Sequence, residues 1–107
     1  MSTENNNKKH IIFSITESIT IFENVQAYLN KKLYHLIIND IEAAFNLAIS
    51  AVVSLHKENI VNISYEIEKL HYFSDLLIKS VNDEQYNSRI YNKQVIYYLE
   101  EILKKLK

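Results

Sequence analysis

Residues 59–86 of the chain read NIVNISYEIEKLHYFSDLLIKSVNDEQY, and this stretch decides how the rest folds. Apolar side chains recur in it at steps of three and four residues, which is the spacing of one face of an α-helix. They are Ile60, Ile63, Ile67, Leu70, Phe73 and Leu77. The charged residues between them are expected to lie in water; they are Glu66, Glu68, Lys69 and Lys79.

The polar residues that follow indicate a corner between two helices. Asn82 precedes Gln85 by three positions, which is the spacing of a capping box at a helix N-terminus. We therefore predict that one helix ends near residue 80 and that an antiparallel helix begins at residue 83, with Asn82 as its cap.

Three further stretches carry the same apolar spacing. Together with residues 59–80, they predict helices over residues 10–29, 34–56 and 83–106. The expected buried positions are Ile12, Ile15, Ile19, Phe22, Val25 and Leu29 in the first helix, Ile37, Ile41, Ala44, Leu47 or Ala48, Ala51 and Leu55 in the second, and Tyr86, Ile90, Val95, Leu99, Ile102 and Leu106 in the fourth.

Short polar segments separate the predicted helices, with Asn30-Lys31-Lys32 after the first and Lys57-Glu58 after the second, and Asn59 is a candidate cap for the third. Residues 1–9 are polar and are expected to form a disordered arm. Helices joined by such short connections pack beside their neighbours in sequence. The expectation is therefore an all-α, antiparallel up-down-up-down four-helix bundle, in one domain over residues 10–107.

The composition supports this fold and excludes several kinds of site. The 107 residues include no glycine, proline or cysteine. Phosphate-cradling loops and tight hairpins need glycine, whereas disulfides, thiolate zinc sites and cysteine nucleophiles need cysteine. The net charge of −1 gives no overall attraction to nucleic acid or to an anionic membrane. No apolar run approaches the ~20 residues of a membrane helix and no signal-peptide core is visible, so we expect a cytoplasmic protein with no membrane partner.

No catalytic constellation is recognisable. Glu68 and His71 form one Glu-x-x-His unit, whereas a di-iron bundle needs two such units and two further glutamates. The only arginine, Arg89, has no histidine shortly after it, as a helical nuclease would require. The serines have no His–Asp partners. We predict a protein that is not an enzyme and has no cofactor and no metal site.

Two residue types are candidates for contacts with partners. The tyrosines of the third and fourth helices can fill the core, form a subunit interface or stack on bases. The candidates for an oligomer interface are Tyr91, Tyr97, Tyr98, Ala48 and Ala51. Basic residues near the helix ends either are solvated or contact phosphate; the candidates are Lys8, Lys9, Lys31, Lys32, Arg89, Lys104, Lys105 and Lys107. In an antiparallel bundle, Lys8 and Lys9 lie at the same end as the lysines of residues 104–107.

The chain from residue 33 to residue 106 resembles the four-helix-bundle family that contains the accessory variability determinant (Avd) of diversity-generating retroelements and proteins encoded in ribosomal-RNA intervening sequences. Four segments carry the resemblance, in the family's order and spacing. They are Leu36 with Ile41-Glu42-Ala43-Ala44, then Leu55-His56-Lys57-Glu58-Asn59, then Glu68-Lys69-Leu70-His71-Tyr72, and finally Asp83-Glu84-Gln85-Tyr86. The chain departs from the family in its net negative charge, in lacking the proline before the second helix, and in His71, where arginine is common.

The resemblance implies a non-enzymatic accessory protein. A protein of this kind forms a homo-oligomer, a pentameric ring, that binds a reverse transcriptase and contacts RNA or DNA. A different interpretation of the same sequence is a stand-alone helical binding module of the immunity or antitoxin type. A neighbouring toxin gene would favour that interpretation, and a neighbouring reverse transcriptase gene would favour the first. A metal-binding bundle is a third, which requires bound metal that is lost with His71→Ala.

Overall fold

A computed structural model describes residues 3–57 and 62–107 of the chain. Every regular element in these residues is helical: α1 spans Thr3–Asn30, α2 Ile38–Lys57, α3 Ser64–Asn82 and α4 Ser88–Leu106, and a short 3₁₀ turn, Tyr34–Leu36, precedes α2. The helices lie side by side in a bundle with dimensions of 47 × 22 × 18 Å. The predicted all-α four-helix bundle is confirmed.

Short connections make each helix run antiparallel to the next, and hydrogen bonds show which helices touch. Ser18 Oγ donates to the carbonyl of Ala44 at 2.9 Å, which joins α1 to α2. Asn92 Nδ2 of α4 donates to the carbonyl of Phe22 at 2.9 Å, which joins α4 to α1. The α3–α4, α1–α2 and α1–α4 seams are closely packed, whereas α2 and α3 touch much less. Around the bundle the order is therefore α2, α1, α4, α3.

The core follows the predicted apolar spacing along most of its length. In α1, in α2 and at Ile37 just before α2, the largest fully buried side chains include Ile15, Phe22, Leu29, Ile37, Ile41 and Leu55. The predicted position Ile12 is only partly buried, whereas its neighbour Ile11 is buried. The sequence allowed either Leu47 or Ala48 to be the buried residue in the middle of α2, and Ala48 is the one that is buried. This agreement is expected, because an amphipathic helix has one apolar stripe and must bury it against its neighbours.

The predicted seam of α4 is wrong at its beginning. Tyr86 is 61% exposed and Ile90 is 52% exposed, whereas the polar residues Ser88 and Asn92 are fully buried. The buried positions of α4 continue at helical spacing from Val95 towards the start of the helix, where Asn92 and Ser88 occupy them. These polar side chains can be buried because Ser88 Oγ donates to the carbonyl of Gln85 at 2.8 Å and Asn92 donates to α1.

The predicted capping box is also wrong, because α3 continues through Asn82. The amide of Gln85 donates to the carbonyl of Ser80 at 2.8 Å, and the amide of Glu84 donates to that of Val81 at 3.0 Å. Glu84 has a φ of 54°. This is a Schellman motif, the usual C-terminal end of a helix, with glutamate where glycine is typical. Asn82 therefore closes α3 and does not open α4.

The helix α1 ends in the same way. The amide of Leu33 donates to the carbonyl of Tyr28 at 3.0 Å, and that of Lys32 donates to Leu29 at 3.0 Å. Lys32 has a φ of 61°. The chain contains no glycine, so residues with a side chain occupy both left-handed positions, although such residues disfavour that conformation.

Several predicted boundaries need correction. Residues 3–9 were predicted to be a disordered arm but belong to α1; no glycine or proline stops the helix there, and an established helix extends at little cost. Tyr34 lies in the 3₁₀ turn, so α2 begins four residues later than predicted. The predicted cap Asn59 and the seam residue Ile60 lie outside the described residues, and α3 begins only at Ser64.

The predicted exposure of Glu66 is wrong. Glu66 is only 7% exposed, and its Oε2 lies 2.9 Å from Nζ of Lys105 in the last turns of α4. Lys105 Nζ also donates to the carbonyl of Asn62 at 3.1 Å. A buried carboxylate needs such a cation to offset its desolvation, so Glu66 serves to connect the start of α3 with the end of α4.

The expectation that no apolar stretch approaches the length of a membrane helix does not hold for α2, which, within the described residues, has the length and composition of a membrane span. The window Ile38–Leu55 in α2 has a mean hydropathy of 1.3, and one third of it is buried inside the bundle. Asp40 and Glu42 lie within this window. The buried core helix of a soluble bundle meets the same criterion, so the window does not by itself indicate a membrane.

Candidate interaction surfaces

Six aromatic side chains of α3 and α4 form one continuous surface, which we call the tyrosine face. It consists of Tyr65, Tyr72, Phe73, Tyr91, Tyr97 and Tyr98. Each helix contributes three of the six side chains. On each helix two tyrosines lie seven residues apart, Tyr65 and Tyr72 on α3, and Tyr91 and Tyr98 on α4. Seven residues are close to two helical turns, so each pair lies on one side of its helix.

Phe73 and Tyr98 lie at the centre of the tyrosine face. Their rings are stacked with centroids 5.9 Å apart. Tyr97 and Tyr65 meet the Tyr98 ring edge-on at 5.0 and 6.0 Å, and Tyr72 meets Phe73 in the same way at 5.0 Å. These edge-to-face and stacked arrangements are the favoured ones for aromatic pairs, so the rings support each other as a group.

The tyrosine face is half buried and half open. Phe73, Tyr91 and Tyr98 are partly buried against the core. The rings around them are open to solvent, with Tyr65 57%, Tyr72 56% and Tyr97 50% exposed. Exposed aromatic residues arranged around a packed centre are typical of a protein interface.

Lys69 crosses the tyrosine face at its α3 side. Its Nζ lies 5.5 Å from the ring centre of Tyr65 and 5.7 Å from that of Tyr72. An ammonium group at this distance is attracted by the negative face of an aromatic ring. Lys69 therefore holds the two exposed tyrosines of α3 in place from between them.

Hydrogen bonds at this surface favour the neutral phenol. A hydrogen bond with the Glu101 carboxylate, together with its negative charge, raises the pKa of Tyr97. A hydrogen bond with Tyr65, followed by desolvation, raises the pKa of Tyr98. Both effects disfavour the phenolate, because it would meet a neighbouring charge or a less polar environment.

The structure separates the predicted interface residues into two groups. Tyr91, Tyr97 and Tyr98 belong to the tyrosine face. Ala48 and Ala51 do not reach any outer surface: they are 1% and 7% exposed and face the interior of their own bundle. As interface residues these two alanines were predicted wrongly, because the small residues of α2 serve its close approach to α1.

Three members of the tyrosine face were not among the predicted interface residues: Tyr65, Tyr72 and Phe73. The seven-residue spacing of Tyr65 and Tyr72 was available in the sequence, and the same spacing occurs in Tyr91 and Tyr98. The two pairs meet because α3 packs against α4. The spacing within each helix does not predict that contact.

The predicted basic residues lie at the two ends of the bundle. The antiparallel packing places Lys104, Lys105 and Lys107 at the end where α1 begins, together with Lys8 and Lys9. Lys31 and Lys32 follow α1 at the opposite end. A helix of the length of α1 spans about 40 Å, so these lysines form two separate groups.

Some of these basic residues already have partners within the chain. Lys105 pairs with Glu66 as described, and Lys104 Nζ lies 3.7 Å from Glu101. Arg89 Nε donates to Asn30 Oδ1 at 3.1 Å, and its guanidinium lies 4.8 Å from the ring centre of Tyr86. The Lys105 and Arg89 contacts tie helices together, which gives both side chains a structural role.

The Glu68–His71 pair has no metal-binding surroundings in the residues that the structure describes. No group of three or more His, Asp or Glu side chains is close enough to hold a metal ion there. His71 instead meets the Phe45 ring edge-on, with centroids 5.4 Å apart.

Comparisons of the chain with protein-family models, with curated proteins and with solved structures gave no match.

Proposed function

We propose that this protein is a non-enzymatic accessory subunit that assembles with copies of itself through the tyrosine face and binds a reverse transcriptase, as the Avd-like motifs imply. The observation that carries the proposal is the tyrosine face, with three tyrosines that are each at least half exposed on a packed aromatic centre.

The size of the tyrosine face suits the centre of an interface. An aromatic side chain can bury ~150–250 Å², so three half-exposed tyrosines offer about 300 Å² per copy. A standard interface buries about 800 Å² per partner, with an aromatic centre and a polar rim. Lys69 and Glu101 at its edges provide polar groups for that rim.

The motifs of the resemblance contribute to this surface. Lys69 and Tyr72 belong to the segment Glu68-Lys69-Leu70-His71-Tyr72, and both lie at the tyrosine face, whereas Leu70 is buried in the core. The segment therefore combines a core contact with an exposed contact surface. This is the division expected of a subunit that must fold before it assembles.

Nucleic-acid contact belongs to the proposal in a secondary role. Lys8, Lys9 and Lys107 at one end, and Lys31 and Lys32 at the other, are the residues that would contact phosphate. If they act together, RNA binding falls steeply as salt rises, because each phosphate contact releases counterions. A titration of RNA at two salt concentrations measures this slope; binding that is absent at low salt removes nucleic acid from the proposal.

Sedimentation velocity at micromolar concentration tests self-assembly. We expect an oligomer for the natural chain, a monomer for the double variant Tyr65→Ser/Tyr97→Ser, and an oligomer for Phe13→Ser. Phe13 is a matched control because it is 59% exposed on α1, away from the tyrosine face. A natural chain that sediments as a monomer refutes self-assembly.

Binding to a reverse transcriptase is tested separately. The polymerase encoded nearest to this gene, purified and immobilised, should retain the natural chain and lose the tyrosine variant. If the adjacent gene encodes a toxin instead, the stand-alone binding module becomes the better interpretation. The observation that favours this second candidate is the pairing of Lys105 and Arg89 within the chain, because it reduces the basic surface available to nucleic acid.

A further inference from the structure

A second surface, separate from the tyrosine face, lies between α2 and α3. It is the least closely packed of the four seams of the bundle. We call it the α2–α3 groove and define it by Phe45, Ile49 and Val53 of α2 and Ile67 and His71 of α3. At one end it opens into a cavity of about 260 Å³ lined by Val53, Lys57, Ser64 and Ile67.

The groove lies along α3 because α2 packs more closely against α1 than against α3. Ala44, Ala48 and Ala51 are small and buried, and Ser18 Oγ reaches the Ala44 carbonyl at 2.9 Å. Small side chains allow two helix backbones to approach closely. The more loosely packed side of α2 therefore faces α3.

The floor of the α2–α3 groove is apolar and only partly covered. Val53 is 45% exposed, and Phe45, Ile49 and Ile67 are partly buried against the core. The edge contact between Phe45 and His71 closes the apolar floor at the end opposite the cavity. An apolar groove between two helices is the usual receptor for the apolar stripe of a third helix.

The charges along the groove differ at its two ends. Phe45 lies opposite His71, so the antiparallel packing places Glu42, one turn before Phe45, level with Asp75, one turn after His71. Both carboxylates are exposed. Lys57 lines the other end of the groove. A cationic side chain entering between Glu42 and Asp75 would meet two negative charges and would be attracted there.

We propose that the α2–α3 groove binds one amphipathic α-helix of a partner protein. The apolar stripe of that helix lies on Ile49, Val53 and Ile67, and a lysine or arginine of it lies between Glu42 and Asp75. The distance from Val53 to Glu42 along α2 is about three helical turns, so a helix with apolar residues at i, i+4 and i+7 matches the groove. This proposal does not depend on the function proposed for the tyrosine face.

Synthetic helical peptides of about 14 residues serve as probes. One carries a leucine stripe with lysines beside it, the second has glutamates in place of the lysines, and the third is a scrambled sequence of the first. Binding is followed by the amide and methyl NMR signals of the full-length protein. We expect the leucine–lysine peptide to bind best and to shift signals of Ile49, Val53 and Ile67.

Two variants and one control localise the binding. Val53→Asp places a charge on the apolar floor and should weaken binding by about ten-fold or more. Glu42→Gln/Asp75→Asn keeps the shapes of both side chains and should weaken only the lysine peptide, by about three- to ten-fold. Ile90→Asp changes an equally exposed residue of α4 and should leave binding unchanged.

Three results would overturn the proposal. The first is equal binding of the leucine–lysine peptide to the natural chain and to Val53→Asp. The second is a set of shifted signals on the tyrosine face instead of the groove. The third is self-association that Val53→Asp abolishes in sedimentation, because the groove would then hold a second copy of this chain. Loss of self-association in the tyrosine variant concerns the proposed function alone, so failures of the two proposals are distinguishable.

Discussion

The ion pair between Glu66 and Lys105 provides the sharpest test of the packing described here. Lys105→Met removes the ammonium group and keeps most of the aliphatic chain. The Glu66 side chain is only 10% exposed, and in this variant its carboxylate no longer has a cation beside it. Its Oε1 has no hydrogen-bond partner even in the natural chain. The variant therefore leaves a buried charge without compensation.

The expected cost follows from the exposure of the two side chains. Removing one partner of a fully buried pair costs about 3–5 kcal/mol. The side chain of Lys105 is 41% exposed, so water can enter beside Glu66 and reduce the penalty. We expect Lys105→Met to lower the free energy of unfolding by about 2 kcal/mol. In a domain of this size that corresponds to a fall of roughly 8 °C in Tm.

Urea unfolding followed by circular dichroism measures this change, and two further variants complete the test. Lys104→Met is the matched control: its side chain is 75% exposed and its contact with Glu101 is 3.7 Å, so its cost should be below about 0.5 kcal/mol. Glu66→Leu/Lys105→Met removes both charges and should recover most of the lost stability. Equal costs for Lys105→Met and Lys104→Met would contradict this prediction, since Glu66 would then be as well hydrated as a surface carboxylate.

Three other predictions concern single positions. Lys32→Gly and Glu84→Gly should each raise the free energy of unfolding by about 0.5–1 kcal/mol, because glycine relieves the left-handed conformation; unchanged or lower urea midpoints would contradict the assigned helix ends. Asn92→Ala should cost about 2 kcal/mol, since it leaves a cavity in the core and removes the hydrogen bonds that Asn92 Nδ2 donates to the Phe22 carbonyl and to Gln26 Oε1; thermal unfolding measures it, and a cost under about 0.5 kcal/mol would mean that Asn92 is not buried. Tyr98 has a raised pKa in the folded chain, so its contribution to stability is complete below its unfolded pKa near 10 and declines as pH rises through the folded pKa. The variant Tyr98→Phe should therefore lose less stability than the natural chain between neutral and strongly alkaline pH. Parallel curves of Tm against pH for the two proteins would show that the Tyr65 contact is absent.

The tyrosine face and the α2–α3 groove lie on different seams of the bundle, on either side of α3. Tyr72 and His71 are adjacent in sequence, yet the first belongs to the tyrosine face and the second to the groove. Consecutive residues of a helix point about 100° apart. One helix can therefore serve a self-association surface and a partner groove at once, as the two proposals require.

The four-helix bundle could be predicted from local features of the sequence. Spacing of apolar residues at three and four positions is a local property, and a chain without glycine or proline has few ways to end a helix except at short polar segments. Positions such as Ile15, Phe22, Ala48 and Leu99 were therefore predictable as core. The tyrosines at seven-residue spacing were visible as well.

Tertiary structure alone decided which neighbours these residues meet. Glu66 is buried because Lys105 faces it from α4, and Asn92 is buried because acceptors on α1 receive its hydrogen bonds. The tyrosine face requires the packing of α3 on α4, and the groove depends on the looser packing between α2 and α3. A periodic pattern shows which side of a helix is buried, whereas its partners depend on contacts between residues far apart in the chain.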